Sequence, residues 1–210
     1  MALTTVVFGI RSMAFVGMTG RERFRRIRPL SLRCLFLLYN SDQSRFDPLN
    51  LTNTLLQADE LGVRLEFVNR LPLWEAQPLY RHRKHVERIA GGIRAKTMEG
   101  CACIYALDVY IQFPNGLKSP DIAIFCREPT EEEQHSVSTL IPEAVIEVVS
   151  EGFEAKDSEI SPPFYLSQGV KDIVVFDPTT LLVLHVKQNS TTHQVPPIEI
   201  ELECGCGAEV

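Results

Sequence analysis

Two carboxylates interrupt stretches that are otherwise apolar. Asp121 follows Pro120 and opens Asp121-Ile122-Ala123-Ile124-Phe125, and Glu147 sits inside Ala144-Val145-Ile146-Glu147-Val148-Val149. Moving an ionised carboxylate out of water costs several kcal/mol unless a partner compensates it. Two such acids on neighbouring buried strands repel each other, so one pKa rises unless a cation lies between them. A divalent ion resolves both problems, because Mg2+ takes hard oxygen ligands, commonly one or two carboxylates with water and a substrate phosphate. Mn2+ accepts the same donors. The carbonyl of Val149, two residues past Glu147, points to the same side of a strand and is expected to add a ligand. An ion held this way makes hydroxide from water and offsets charge on a phosphate under attack. The competing reading has Asp121 capping a turn after Pro120 and Glu147 pairing with an Arg or Lys.

The elements that must position these acids follow from apolar period and turn residues. Residues 49–61 read as a short helix closed by Gly62, and residues 63–68 and 71–75 as two strands joined at Asn69-Arg70. Pro78 opens a helix to about residue 96, with Leu79, Val86, Ile89, Ala90 and Ile93 near a 3.6-residue period. Strands are expected at 103–113, 121–126, 144–149, 172–176 and 181–186, a helix of one to two turns at 163–168, and a last strand at 198–202. Residues 128–138 carry four acids and read as an exposed loop. Short buried strands with helices between them imply an α/β or α+β fold, a mixed sheet flanked by helices. Trp74 and the Phe residues are expected in the core. There is no internal repeat.

Composition sets the frame. The chain has 210 residues, 45% hydrophobic and 23% charged, values of an ordinary globular chain rather than a collagen-like or disordered one. No run of 18 apolar residues occurs, so no transmembrane helix and no membrane partner are expected. Residues 1–58 hold eight Arg, no Lys and three acids, whereas residues 59–210 hold 13 basic and 24 acidic groups. An acidic body argues against non-specific binding to nucleic acid, yet leaves room for a nuclease whose acids hold metal. Residues 1–45, with Arg21, Arg23, Arg25, Arg26 and Arg28, read as a poorly ordered basic leader or a misassigned start, and residues 46–210 as one domain. No small-residue cleavage site follows the apolar pieces near the start, so a reducing, cytoplasmic setting with free thiols is expected.

A longer pattern sharpens the acid reading. Residues 120–178 resemble the Uma-type restriction endonucleases. The resemblance rests on Pro120-Asp121-Ile122-Ala123-Ile124 and Val145-Ile146-Glu147-Val148-Val149-Ser150, then Asp157, Tyr165, Gly169-Val170 and Val174-Val175-Phe176-Asp177-Pro178. More weakly, it reaches back to Leu65-Glu66-Phe67-Val68-Asn69 and the helix bearing His85. It implies a restriction-endonuclease-like fold of the PD-(D/E)xK superfamily. It also implies Mg2+- or Mn2+-dependent cleavage of DNA, Asp121 and Glu147 as metal ligands, and Glu66 as a third acid. One departure stands out. The superfamily places a Lys two residues after the second acid, where this chain has Val149. Many relatives instead carry a Lys four residues before the helix Tyr, and that position is Ser161. Lys156 is the nearest replacement, either turning into the site to position water or standing in an exposed loop. The alternative function is therefore a catalytically impaired nuclease fold that binds or interacts.

Other residues carry weaker signals. Arg81, Lys84, His85 and Arg88 belong to the one dense basic stretch of the body and are the candidates for contacting the DNA backbone, if they are not simply a solvated face. His82 and His85, three apart on one helix face, read first as part of a solvated basic face with Arg81, Arg83, Lys84 and Arg88, and could instead hold a transition metal with a third ligand. Cys101-x-Cys103 and Cys204-x-Cys206 read first as ordinary buried thiols, and could instead make a four-thiolate zinc site or take a redox or disulfide role. Ser150 lacks a nucleophile-elbow motif and reads as a turn residue. The sequence does not reveal an oligomeric state; nucleases that cut both strands often pair up, which leaves a homodimer open.

Overall fold

The computed structural model describes residues 48–96, 100–134 and 138–210, with side chains from residue 53 onward; the expected leader over residues 1–45 lies outside them. Helix α1 (Pro48–Glu60) ends at Gly62, whose φ of +70° carries the chain into strand β1 (Val63–Val68). A two-residue turn, Asn69-Arg70, leads into β2 (Leu71–Ala76). Both turn residues have positive φ, +50° and +67°, the backbone that matches the right-handed twist of the paired strands. On its other edge β1 pairs with β6 (Gly116–Lys118), which pairs with β5 (Ile111–Phe113), giving a four-stranded antiparallel sheet, β2-β1-β6-β5. The Phe67↔Leu117 register continues to set Lys118 beside Glu66. Gly116 is required there, since a Cβ would lie 2.1 Å from the Phe67 carbonyl oxygen.

The second sheet has six strands in the order β11-β10-β9-β8-β7-β4. These are β4 (Ile104–Leu107), β7 (Ile122–Phe125), β8 (Ala144–Val148), β9 (Asp172–Asp177), β10 (Leu182–Lys187) and β11 (Ser190–Gln194). Only β8 and β9 run parallel, so the sheet is mixed. Parallel neighbours need a crossover. Here it is a π-helical turn (Lys156–Ile160) running directly into α3 (Ser161–Ser167). The Ile122↔Ile146 register of β7 against β8 brings Asp121 level with Glu147. A third sheet, β12-β13-β3, joins Glu199–Glu201, Cys206–Glu209 and Arg94–Ala95.

Both faces of the central strands are covered, which is why β7 and β8 are buried along their whole length. On one face α2 (Tyr80–Gly91) and the third sheet bury Val86, Ile89, Cys206 and Ala208 against Ile122, Ile146, Val174 and Phe176. On the other, Phe113, Phe164 and Tyr165 pack on Ala123, Val145, Ile173 and Val175. No helix among the described residues is long and apolar enough to cross a membrane.

Several expectations are corrected. Residues 103–113 do not form one strand: Asp108, at φ +52° and held by Arg64 and Arg83, breaks the run into β4 and β5 of different sheets. The second helix stops at Gly91 rather than continuing to residue 96, because Gly91-Gly92 weakens it and β3 is captured by β13. Trp74 is 40% exposed, on the outer face of β2, and is not a core residue. The thiols are not all free, since Cys101 is bonded to Cys126 and Cys103 to Cys206.

Candidate active site

Asp121, Glu147, Glu66, Lys118, Lys156 and Asp157 form a single buried charge cluster where the two larger sheets meet. Asp121 stands at the entrance of β7. Its carboxylate accepts a hydrogen bond from the Val148 amide at 2.8 Å and lies 3.1 Å from His82 Nε2 and 3.6 Å from Arg64. Glu147 accepts from the Asp121 amide at 3.2 Å and from the Tyr165 hydroxyl at 2.7 Å. Each acid is thus held by the backbone of the other's strand.

Their electrostatics diverge. For Asp121, burial works upward, but the His82 contact, the Val148 amide and Arg64 together bring the carboxyl below its usual range. For Glu147 burial dominates. With Asp121 adding repulsion, its pKa is pushed up to about 8 in spite of Lys118 and Lys156. Two neighbouring carboxyls with pKa values driven apart mark a place short of positive charge. The nearby donors are hard oxygens, namely Asp121, Glu147 and the carbonyl of Val148. That set fits Mg2+ or Mn2+ and not a thiophilic ion. The carbonyl beside Asp121 is that of Val148, which lies 2.8 Å from His82 Nε2. Val149, whose carbonyl was expected as the ligand, donates its amide to the Phe176 carbonyl on the β9 side, and in extended chain the carbonyl of the same residue points that way too, away from Asp121.

Glu66 is present, but as an anchor for cations. Burial would raise its pKa, yet Lys118 at 2.6 Å, Lys156 at 3.5 Å and the Ser119 amide bring it down to about 2. Lys156 turns inward rather than standing in an exposed loop. It contacts Glu75 at 2.5 Å and Asp157 at 3.2 Å; burial works to lower its pKa, but Glu66 first, then Asp157, Glu147 and Glu75, hold it above the ordinary value. Asp157, mainly through burial, is raised to about 6, and it also receives the Ser150 amide.

The sequence reading missed Lys118. Its ammonium is fully buried, donates to Glu66 and to Ser161 Oγ at 3.0 Å, and lies 4.0 Å from Glu147. Ser161 is the position at which the family resemblance leads to the expectation of a lysine. Here a short hydroxyl leaves room, and an ammonium arrives from β6 on the neighbouring sheet. The only signal was a Lys three residues before Asp121. His82 was also misread: it is buried against Asp121, while His85 packs edge-on against Phe176 at 5.5 Å, so the two do not share a metal. Burial lowers the His82 pKa, but Asp121 and the Val148 carbonyl prevail and raise it; burial and Arg88 lower that of His85. Arg81, Lys84 and Arg88 stay exposed on α2, with Lys84 paired to Glu87 and Arg88 5.7 Å from the Phe176 ring centre.

The Uma2 family, described as a putative restriction endonuclease, matches residues 53–203. Among solved structures, the chain is similar to the crystal structure of a putative nuclease belonging to DUF820 from Anabaena variabilis ATCC 29413, with a TM-score of 0.52 and 19% identity. That match covers 65% of this chain and 80% of the other, and it supports the restriction-endonuclease-like fold. No curated protein matches the chain.

Proposed function

Because the chain belongs to the Uma2 family of putative restriction endonucleases, we propose that it is a Mg2+- or Mn2+-dependent endonuclease hydrolysing phosphodiester bonds in DNA. The observation that carries this reading is the buried Asp121–Glu147 pair, with one carboxyl raised to about 8 and a lysine 4.0 Å away. Asp121, Glu147 and the Val148 carbonyl would hold the ion, which when bound supplies an activated water and offsets charge on the phosphate. The protein's own groups do the rest. His82 and Arg64 fix the Asp121 carboxylate, and the Tyr165 hydroxyl fixes that of Glu147. Lys118 presents a proton donor beside Glu147, oriented by Glu66 and Ser161, and replaces the lysine missing after the second acid. We assign it the role of orienting the attacking water; Lys156 lies 3.5 Å from the same Glu66 oxygen and adds a second positive charge there.

The test is nicking of supercoiled plasmid and cleavage of single-stranded DNA with Mn2+ or Mg2+. Wild type should nick, and Asp121→Ala and Glu147→Ala should not. Equal products from all three would assign the cleavage to a contaminant, and no product from any would favour the alternative, a nuclease fold kept for binding.

The exposed cations of α2 would contact the DNA backbone. Replacing Arg81 and Arg88 by Glu is expected to weaken DNA binding across sequences. Because two phosphate contacts are lost, the salt dependence of log K should become shallower by about 1 to 2. Fluorescence anisotropy on a labelled duplex at several salt concentrations measures both. A homodimer would bring one such site to each strand, and sedimentation of the protein on a duplex would reveal it.

A further inference from the structure

Five cysteines that the nuclease reading does not use converge on the opposite side of the central sheet. Cys101 and Cys103 precede β4, Cys126 follows β7, and Cys204 and Cys206 flank Gly205 in the turn from β12 to β13. The sulfurs of Cys101, Cys204 and Cys206 all lie within 4.8 Å of one another. Cys103 is bonded to Cys206 and Cys126 to Cys101, so the remaining two sulfurs adjoin the same trio. Four thiolates at about 2.3 Å from one tetrahedral ion have neighbouring sulfurs a little under 4 Å apart, and this is the spacing the trio already approaches.

The two Cys-x-Cys segments are also built alike. The Cys103 amide donates to Cys101 Sγ at 3.4 Å, and Cys103 itself sits at φ +51°. The Cys206 amide acts in the same sense on Cys204, working against the burial that otherwise raises that thiol. Left-handed backbone at a non-glycine residue is costly and persists where surroundings impose it. Amides aimed at sulfur favour its negative form.

We propose that the reduced protein holds one Zn2+ ion on the thiolates of Cys101, Cys204 and Cys206, with a fourth thiolate from Cys103 or Cys126. Reduction is by a dithiol: each disulfide takes up two electrons and two protons, and the dithiol becomes a disulfide. Four of the thiols then release their protons to solvent as they bind the ion. The site is structural, since all four positions are protein sulfurs. It fastens the β12–β13 turn to β4 and β7, and through β13 and β3 it steadies the base of α2, which carries His82. This inference stands apart from the nuclease reading, because none of its residues belongs to the acid cluster.

The full chain should be purified under dithiol without chelator and its metal measured by plasma mass spectrometry. The expected result is about one zinc per chain, lost on Cys204→Ser or Cys206→Ser and kept on Cys34→Ser. Wild type freed of metal and titrated with Co2+ should develop thiolate-to-cobalt charge-transfer absorption that Zn2+ abolishes. That measurement needs no variant to fold. Reduced, folded wild type that carries no zinc and gives no such absorption would overturn the proposal, leaving the two disulfides as the resting state.

Discussion

Glu147→Gln is expected to abolish metal-dependent nicking while making the metal-free protein more stable above neutral pH. The carboxyl of Glu147 is held near pKa 8 by burial and by Asp121, against about 4.5 for the ordinary group. The sign follows from linkage. Between about pH 4.5 and 8 the folded protein keeps a proton that the unfolded chain has released, so wild-type stability falls as pH rises through that window. The neutral amide does not titrate. It can accept from the Asp121 amide and donate to the Tyr165 oxygen, replacing both bonds of the acid. Urea denaturation with chelator present should therefore give similar stabilities near pH 4.5. At pH 8 the variant should be ahead by an amount on the order of a few kcal/mol. Mn2+ should then stabilise wild type and leave Glu147→Gln unchanged. Nicking should fall by roughly 10²-fold or more, as for loss of a group that acts on transition-state charge. A variant that still nicks in proportion to Mn2+ would remove Glu147 from the site.

Lys118→Met should damage both stability and activity, and a second substitution separates the two. Its ammonium is fully buried 2.6 Å from Glu66, whose pKa of about 2 depends on it. Breaking one side of a buried pair costs about 3–5 kcal/mol, because the other charge stays uncompensated. Lys156 at 3.5 Å softens that loss without replacing the Ser161 contact. The double variant Lys118→Met/Glu66→Gln removes both charges and should recover most of the stability. It should not recover nicking, which is expected about 10²–10⁴-fold below wild type with Mn2+ binding retained. If the stable double variant nicks at the wild-type rate, Lys118 is a structural cation and water is oriented by another group. Calorimetry of Mn2+ binding beside plasmid nicking on the same samples decides this.

The acids were visible in the sequence because a strand is a local object. Asp121 and Glu147 interrupt apolar runs, and interruption of a buried strand is readable from a few neighbouring residues. The β1–β2 hairpin was equally legible, since two short runs rich in apolar residues meet at a two-residue turn. Lys118 was not. Its strand has three residues, too short to show a period, and its partner Glu66 is 52 residues away on a strand in a sheet the sequence did not separate from the main one. Strand β11, Ser190–Gln194, was missed for a related reason: an exposed edge strand carries a polar sequence that resembles a loop.

The chain by itself thus determined which residue types are short of compensation: two buried acids, a lysine position occupied by serine, and paired cysteines two apart. Burial and turn chemistry act over neighbouring residues, so these features survive in a linear reading. Tertiary structure alone decided who compensates whom. The β7–β8 register set Asp121 level with Glu147, and β6 against β1 delivered Lys118 to Glu66 and Ser161. Helix α2 turned His82, not His85, toward Asp121. The turn of the third sheet carried Cys204 and Cys206 to Cys101. Electrostatic and coordination partners are chosen by distance in space, and strand register fixes that distance between residues far apart in the chain.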